Sequence, residues 1–286
     1  MENFIQTNAT KMTLKTAKEL AFLHELFVAT DWGERFAELI DENVELPKSG
    51  RALYVASGTG GHAIALRERA GDGVQFLGID ESDESLELAR AKAKAALKDN
   101  TEFRQERIDR LPLNDDEFDL VIGDGSLVNS ERMPEMLAEM VRVAKPHAEV
   151  VLALPTFSSF GEFFSIYWEA LHNLGLLDHE GDVENLITVL PTPAALEEFA
   201  EQADIEEISS VTKPENFRYE SADSFVGSPL VADFLMPIWL ETLPPDSRER
   251  VTKEIRRLIN EESKEGLEFA LTIKATLVKG KKALSQ

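Results

Sequence analysis

A glycine-rich turn between two apolar runs constrains this chain more than any other feature. The run Ala52–Ala56 leads into the turn Ser57–Gly60, and a second apolar run, Phe76–Ile79, ends in Asp80. Glycines let a backbone turn sharply and approach a ligand closely, and a helix that begins there presents free N–H groups. A carboxylate at the end of the second strand is placed to accept from both hydroxyls of a ribose. The pattern predicts half of a nucleotide-binding site.

Two kinds of ligand fit this turn. Read as Gly58-x-Gly60-x-x-Ala63, it matches a dinucleotide-binding turn, which suits a nicotinamide-dependent oxidoreductase. Read as Val55-Ala-Ser-Gly-Thr-Gly60, it resembles the first motif of class I S-adenosylmethionine-dependent methyltransferases of the UbiE-like, type 11 group. The glycine pattern alone does not separate the two.

Composition excludes several classes of function. The 286 residues include 53 acidic and 30 basic side chains, for a net charge of −23. Nucleic-acid binding depends largely on Lys and Arg that neutralise phosphates, so we expect no nucleic-acid partner. The absence of cysteine excludes disulfides, thiolate metal sites and a thiol nucleophile. The five histidines show no metal-binding spacing, and we predict no metal site.

The sequence also bears on the cellular location. Apolar runs such as Val150–Leu154 are far too short to cross a bilayer, so no membrane partner is expected. Residues Met1–Gln6 lack the basic start and long apolar stretch of a signal peptide. We therefore expect a cytoplasmic protein, and the sequence does not indicate its oligomeric state.

Apolar runs and helical patterns alternate between Arg51 and Pro155 at the rhythm of a parallel sheet. Strands this apolar on both faces belong in the middle of a doubly wound α/β sheet. Five strands are predicted in this part, and two later segments also have strand character. The seven segments are Leu53–Ala56, Val74–Ile79, Glu102–Arg107, Phe118–Gly123, Val150–Leu154, Ile205–Val211 and Phe269–Val278.

Later motifs favour the methyltransferase resemblance. The stretch Leu111–Gly123 is similar to the family's Leu-Pro-Phe-x-Asp-x-x-Phe-Asp-x-Val signature, and Glu139–Pro146 to its Glu-x-x-Arg-Val-Leu-Lys-Pro helix. The resemblance implies a seven-stranded, mostly parallel Rossmann-like sheet whose last strand is antiparallel and lies between the fifth and sixth. It also implies S-adenosylmethionine as the cofactor.

The domain organisation follows from the same patterns. Residues 1–48 form a predicted N-terminal helical segment of two helices, interrupted at Asp31–Gly33 and packed against the sheet. Residues 49–286 form the methyltransferase-like domain, with helical lid insertions at about 156–190 and 213–265.

The resemblance implies a set of cofactor-binding residues, all close to the carboxyl ends of predicted strands. They are Ala56, Ser57, Gly58, Gly60, His62, Asp80, Glu81, Arg107, Ile108 and Asp124. In this scheme the turn faces the methionine part, Asp80 takes the ribose, and Glu81 lies beside the adenine. Asp124 lies where the methyl group and the acceptor meet.

Two departures from the family bear on activity. The family has an acidic residue where Tyr54 stands, and another where Arg107 stands. Arg107 replaces a hydrogen-bond acceptor with a side chain that only donates. A protein that keeps the fold for binding or interaction without methyl transfer is therefore an alternative, alongside the oxidoreductase.

The acceptor and its activation are less constrained by sequence. Aromatic side chains of the lid suggest a small or medium-sized, partly apolar acceptor, although packing of the lid explains each of them equally well. The acceptor-binding candidates are Tyr167, Trp168, Tyr219 and Trp239. Methyl transfer depends mainly on holding the reactants in near-attack geometry, so no catalytic residue is assigned.

Overall fold

A seven-stranded sheet organises the computed structural model, which describes residues 15–96, 100–262 and 268–284. Its strand order is β3-β2-β1-β4-β5-β7-β6. The strands β1 to β5 pair in parallel, and β7 is antiparallel to both of its neighbours. The strands are β1 (Gly50–Val55), β2 (Val74–Asp80), β3 (Thr101–Gln105), β4 (Phe118–Asp124), β5 (Ala144–Pro155), β6 (Ile205–Tyr219) and β7 (Phe269–Lys282). The doubly wound, mostly parallel sheet with its reversed last strand is confirmed.

Helices cover both faces of the sheet. Three helices follow β1, β2 and β4, and a fourth precedes β6. They are α3 (Gly61–Ala70), α4 (Asp83–Ala95), α5 (Met133–Val143) and α8 (Pro193–Gln202). Local chemistry fixes their starts: the Ser82 hydroxyl accepts from the N–H of Ser85, and Pro193 occupies the first turn of α8. No helix in the described ranges is long and apolar enough to cross a membrane.

The apolar character of the strands on both faces has a direct structural cause. Leu120 and Ile122 of β4 enter a core layer shared with the N-terminal segment and the lid. Val121, between them, enters a second layer formed with α5 and α8. Because successive side chains of a strand point to opposite faces, a strand between two helical layers has to be apolar throughout.

The N-terminal segment is one continuous helical run, so the predicted break at Asp31–Gly33 is wrong. The run consists of α1 (Ala17–Leu23), a π-helical stretch (His24–Gly33) and α2 (Glu34–Asn43). Gly33 takes helical dihedral angles, φ −62° and ψ −39°. Trp32 is buried against Phe160 and Phe217, and this tertiary packing outweighs the low helix propensity of the glycine. Residues 1–14 of the predicted segment lie outside the described residues.

The lid follows β5 and β6. Its helices are α6 (Gly161–Asn173), α7 (Glu180–Thr188), α9 (Ala222–Gly227), α10 (Met236–Trp239) and α11 (Pro245–Glu262). The second insertion starts later than predicted, because residues 213–219 belong to β6 and pair with β7. Residues 263–265 of that predicted insertion lie outside the described part. The strands β6 and β7 are longer than the apolar segments that predicted them, because they continue to pair with each other beyond those segments.

One buried hydroxyl in α6 leads to a stability prediction. Tyr167 is fully buried, and its Oη has no hydrogen-bond partner among the described residues. A buried polar atom without a partner costs about 1–3 kcal/mol, so we expect Tyr167→Phe to raise the free energy of unfolding by about 1 kcal/mol or more. Urea denaturation of both proteins measures the change.

Tyr219 supplies the control, since it is half-buried and its hydroxyl is not a buried atom without a partner. Tyr219→Phe should change the free energy of unfolding by less than about 0.5 kcal/mol. Equal changes in the two variants, or a loss of stability in Tyr167→Phe, would contradict the assignment of an unpaired hydroxyl.

Candidate functional site

A cavity of about 920 Å³ opens at the carboxyl ends of β1, β2 and β4. In an open α/β sheet, ligands bind beyond these ends where the strand order reverses, which here is between β1 and β4. Eight of the predicted cofactor-binding residues line it: Ala56, Ser57, Gly58, His62, Asp80, Glu81, Ile108 and Asp124. The sheet therefore brings together residues that are widely separated in the sequence.

Asp80 holds the glycine turn in place. Its Oδ2 accepts from the N–H of Gly58 at 2.8 Å, and its Oδ1 accepts from the N–H of Ser82 at 2.9 Å. Burial raises the pKa of the Asp80 carboxyl, and the two backbone bonds oppose that rise. Each carboxylate oxygen keeps a further lone pair, so the side chain remains able to accept from a ligand in the cavity.

Ala56 lies at the start of the turn in a strained conformation. Its φ of 58° is in the left-handed region, which costs a residue with a Cβ roughly 1–2 kcal/mol relative to glycine. Backbone strain of this kind is concentrated at ligand sites, where the surrounding structure enforces it. The strained residue and the paired Asp80 together fix the shape of the turn.

Gly60 is placed differently from the expectation for a cofactor-facing residue. It does not line the cavity, and its φ is 76°. A Cβ added there would lie 2.6 Å from the Cβ of Ala89 and 2.7 Å from the Cζ of Phe103. The glycine is needed because α4 and β3 pack against the turn from behind.

Charged residues form the rim beside Ile108. Glu81 receives a hydrogen bond of 2.6 Å from Nη2 of Arg132, and this pairing lowers the pKa of the Glu81 carboxyl. Arg107 lies outside the cavity, because its side chain is 70% exposed and pairs with Asp109. The loss of an acidic residue at position 107 therefore does not alter the cavity wall.

Tyr54, the other departure from the family, is in the cavity wall. Its hydroxyl lies 2.9 Å from Nδ1 of His62, and Nε2 of His62 lies 3.0 Å from Oδ1 of Asp41. Asp124 lines the same part of the cavity and accepts from the N–H of Ser126 at 2.9 Å. Burial raises the pKa of the Asp124 carboxyl. The sequence analysis did not identify Asp41 as a site residue, because no sequence pattern links it to His62.

The cavity wall contains polar atoms with unused hydrogen-bonding capacity. Nδ1 of His24, Nε1 of Trp32 and Oγ of Ser57 are buried there, and none of them has a partner in the part of the chain that the structure describes. Buried polar groups are normally paired, so these atoms fit a polar ligand such as a nucleoside that carries an amino acid. His24 and Trp32 were also missed. They lie in a helical pattern that is typical of packing, and only the fold shows that they line the cavity.

A second cavity of about 310 Å³ adjoins the first and shares with it the segment Ser126–Asn129. Aromatic and aliphatic side chains form much of its wall, among them Phe160, Phe164 and Val189. Its charged wall residues are all acidic: Glu131, Asp182 and Glu241. An uncharged or cationic, partly apolar molecule matches this lining better than an anion.

The predicted acceptor residues are distributed unevenly around this second cavity. Trp239 lines it and stacks on Phe163 with ring centroids 4.0 Å apart. Tyr167 lies in the core of the lid, Trp168 is on the exposed side of α6, and Tyr219 packs against Phe225. These three line neither cavity. Tyr167 and Trp168 diverge because neighbouring helical residues point about 100° apart.

Comparison with known proteins identifies the type of domain. Residues 47–180 match a family described as a methyltransferase domain. A demethylmenaquinone methyltransferase of Shouchella clausii is 32% identical over 123 residues, which are 42% of this chain and 52% of that protein. One of Deinococcus radiodurans is 35% identical over 156 residues, 53% of this chain and 63% of that protein. The chain thus spans between half and two thirds of the length of these relatives.

Solved structures show the same fold at lower identity. The YcgJ protein of Bacillus subtilis aligns over 88% of this chain and 100% of its own, with a TM-score of 0.57 and 16% identity. A phosphoethanolamine N-methyltransferase of Haemonchus contortus, solved with S-adenosylhomocysteine, aligns over 95% of this chain and 61% of its own, with a TM-score of 0.56 and 12% identity. Together with the match of residues 47–180 to the methyltransferase domain, the reversed β7 favours the methyltransferase interpretation over the nicotinamide-dependent oxidoreductase.

Proposed function

We propose that this chain, whose residues 47–180 belong to the class I S-adenosylmethionine-dependent methyltransferases, transfers the cofactor's methyl group to a small, partly apolar acceptor. The observation that carries the proposal is the wall common to the two cavities. A cofactor in the larger cavity and an acceptor in the smaller one would meet at the segment Ser126–Asn129, next to Asp124.

The larger cavity suits S-adenosylmethionine in its shape and in its donors and acceptors. Asp80 offers a charged acceptor to ribose hydroxyls, and the buried Ile108 offers an apolar surface to the adenine. The unpartnered atoms of His24 and Ser57 lie near the turn that would face the methionine part. When bound, S-adenosylmethionine supplies an electrophilic methyl group on a sulfonium.

The protein's contribution to the reaction is mainly positional. Holding two reactants in near-attack geometry removes much of the entropic part of a bimolecular barrier. The lid residues Phe160, Phe164 and Trp239 exclude water from the acceptor side. The acidic rim of the second cavity attracts a cation and repels an anion, in agreement with the net charge of −23. We propose no nucleic-acid acceptor on this ground.

Methyl transfer from labelled S-adenosylmethionine tests the proposal. The acceptors to compare are demethylmenaquinone, phosphoethanolamine, DNA and RNA. We expect transfer to the uncharged, apolar acceptor and none to nucleic acid. Absence of S-adenosylhomocysteine binding by wild type would instead support a scaffold that has lost methyl transfer.

A pair of valine variants tests the second cavity. Val189 lines it and is 37% exposed, whereas Val211 is 41% exposed on β6 and lines neither cavity. Val189→Glu places a charge in the apolar wall, so the KM for an apolar acceptor should rise roughly tenfold, the equivalent of about 1.4 kcal/mol. Val211→Glu makes the same change at a similarly exposed site and should leave KM unchanged. Equal kinetics in both variants would remove the acceptor from this cavity.

A further inference from the structure

A chain of hydrogen bonds leads from the wall of the larger cavity to the protein surface. Tyr54 is buried, with 3% of its surface exposed, and its hydroxyl lies 2.9 Å from Nδ1 of His62. Nε2 of His62 lies 3.0 Å from Asp41, whose side chain is 38% exposed. Arg69 pairs with the same carboxylate oxygen of Asp41. The chain of hydrogen bonds joins α2, β1 and α3, which are consecutive elements of the sequence.

The chemistry of the three side chains gives the hydrogen bonds a direction. The hydrogen bond from His62 lowers the pKa of the Asp41 carboxyl, and Arg69 acts in the same sense, so Asp41 is an anion that only accepts. Nε2 of a neutral His62 must therefore carry the proton that points to Asp41. Nδ1 then has a free lone pair, because a neutral imidazole donates from one nitrogen and accepts at the other.

It follows that the Tyr54 hydroxyl donates its proton to His62. The lone pairs of the Tyr54 oxygen remain available to a group inside the cavity, and the bond to His62 increases their basicity. Burial keeps Tyr54 protonated, because it raises the pKa of the phenol well above its usual value. Tyr54 thus accepts a proton by passing its own along the chain, without first becoming a phenolate.

Methyl transfer to an atom that carries hydrogen, whether oxygen, nitrogen or a ring carbon, needs such an acceptor of protons. The bond between the acceptor atom and the methyl carbon forms, the sulfur–methyl bond breaks, and the acceptor atom must lose its hydrogen as a proton. Asp124 lies in the same cavity, where its carboxylate accepts from the N–H of Ser126. The chain from Tyr54 ends at an exposed carboxylate.

We propose that Tyr54 is a catalytic residue that takes the proton of the acceptor, with His62 and Asp41 as positioning residues that carry it onward. This inference rests on the proposed methyl transfer. The acceptor's proton moves to the Tyr54 oxygen, the Tyr54 proton moves to Nδ1 of His62, and Asp41 stabilises the resulting imidazolium. After the product leaves, the imidazolium returns one proton to solvent.

The tautomer of His62 tests the chain without any acceptor. Histidine ¹⁵N NMR of the full chain near neutral pH, with and without S-adenosylhomocysteine, reports which nitrogen carries the proton. We expect a protonated Nε2 and a bare Nδ1, and Tyr54→Phe should shift the Nδ1 signal. A proton on Nδ1 would overturn the proposal, because Tyr54 would then have no acceptor for its own proton.

Kinetics test the catalytic step, with the hydroquinone form of demethylmenaquinone as the probe. General base catalysis is worth about 10²- to 10⁴-fold, so Tyr54→Phe and His62→Gln should each lower kcat by about 100-fold or more. The affinity of Tyr54→Phe for S-adenosylhomocysteine should stay within about twofold of wild type.

His147→Gln is the matched control, since His147 is exposed at the start of β5 and lines neither cavity. It should transfer methyl groups at the wild-type rate. A wild-type kcat in Tyr54→Phe would overturn the relay and leave the proposed function intact. If wild type fails to bind S-adenosylhomocysteine in calorimetry, the proposed function is wrong and the relay is overturned with it.

Discussion

Replacing Asp80 by asparagine is expected to weaken the binding of S-adenosylhomocysteine by about 10- to 150-fold. The variant loses a charged acceptor, and hydrogen bonds to charged groups are worth about 1.5–3 kcal/mol each. The backbone N–H groups of Gly58 and Ser82 both donate to Asp80. In the variant, the amide NH₂ group faces one of these two donors, and the two groups repel each other. Titration calorimetry measures both the affinity and the enthalpy of binding.

Asp83→Asn is the control for this substitution. Asp83 lies three positions further on, at the start of α4, and its carboxylate pairs with Arg90 at the surface. The same change from acid to amide there should leave the affinity within about twofold. Equal affinities of wild type and Asp80→Asn would remove Asp80 from the binding site.

Lowering the pH should also weaken the binding of S-adenosylhomocysteine to the wild-type protein. Burial raises the pKa of Asp80, so the carboxylate takes up its proton at a higher pH than an ordinary aspartate, whose pKa is 3.8. The affinity for S-adenosylhomocysteine should therefore begin to fall, as the pH is lowered, above that value. Asp80→Asn has no such proton to gain, and its affinity should depend less on pH.

Replacing Gly60 by alanine is expected to lower the free energy of unfolding by about 2–5 kcal/mol. The left-handed conformation costs about 1–2 kcal/mol for any residue with a Cβ, and overpacking a core adds about 1–3 kcal/mol. The new Cβ would lie 2.6 Å from the Cβ of Ala89 and 2.7 Å from the Cζ of Phe103. Denaturation in urea measures the loss.

A second glycine separates the two contributions, and Gly71 is not suited to this. Its ψ of −175° places it outside the left-handed helical region of Gly60, so Gly175 at the end of α6 is the better match: its φ is 68°, and a Cβ there would have no described atom within 4 Å. Gly175→Ala should therefore lose only the conformational part, about 1–2 kcal/mol. Equal losses at the two positions would show that α4 and β3 leave room for a side chain behind the turn.

The cofactor-binding half of the molecule was predictable from the sequence because its signals are local. The turn Ser57–Gly60 and the acid at Asp80 each follow an apolar strand, and parallel strands bring their carboxyl ends to one edge. Even there, the roles of single residues depend on packing. Gly60 and Arg107 have the right positions in the sequence, but one faces the core and the other faces solvent.

The remaining features depend on contacts between distant parts of the chain. Asp41 meets His62 only because α2 lies beside α3, and Trp32 enters the core only because the lid supplies Phe160. Aromatic residues of the lid give no signal of whether they face a cavity or each other. Trp239 lines the second cavity, whereas Tyr167 is enclosed by the lid core. A sequence pattern predicts burial of these residues and not their neighbours.

The position of β7 determines the order in which the two cavities can be completed during synthesis. Because β7 lies between β5 and β6, the strand β6 has no place in the sheet until the C-terminal residues are available. The strands β1 to β5 pair only with one another up to that point, so most of the wall of the larger cavity can form before β7 is made. Phe234, which follows β6, completes that wall later. We expect an intermediate that has most of the larger cavity and still exposes the edge of β5.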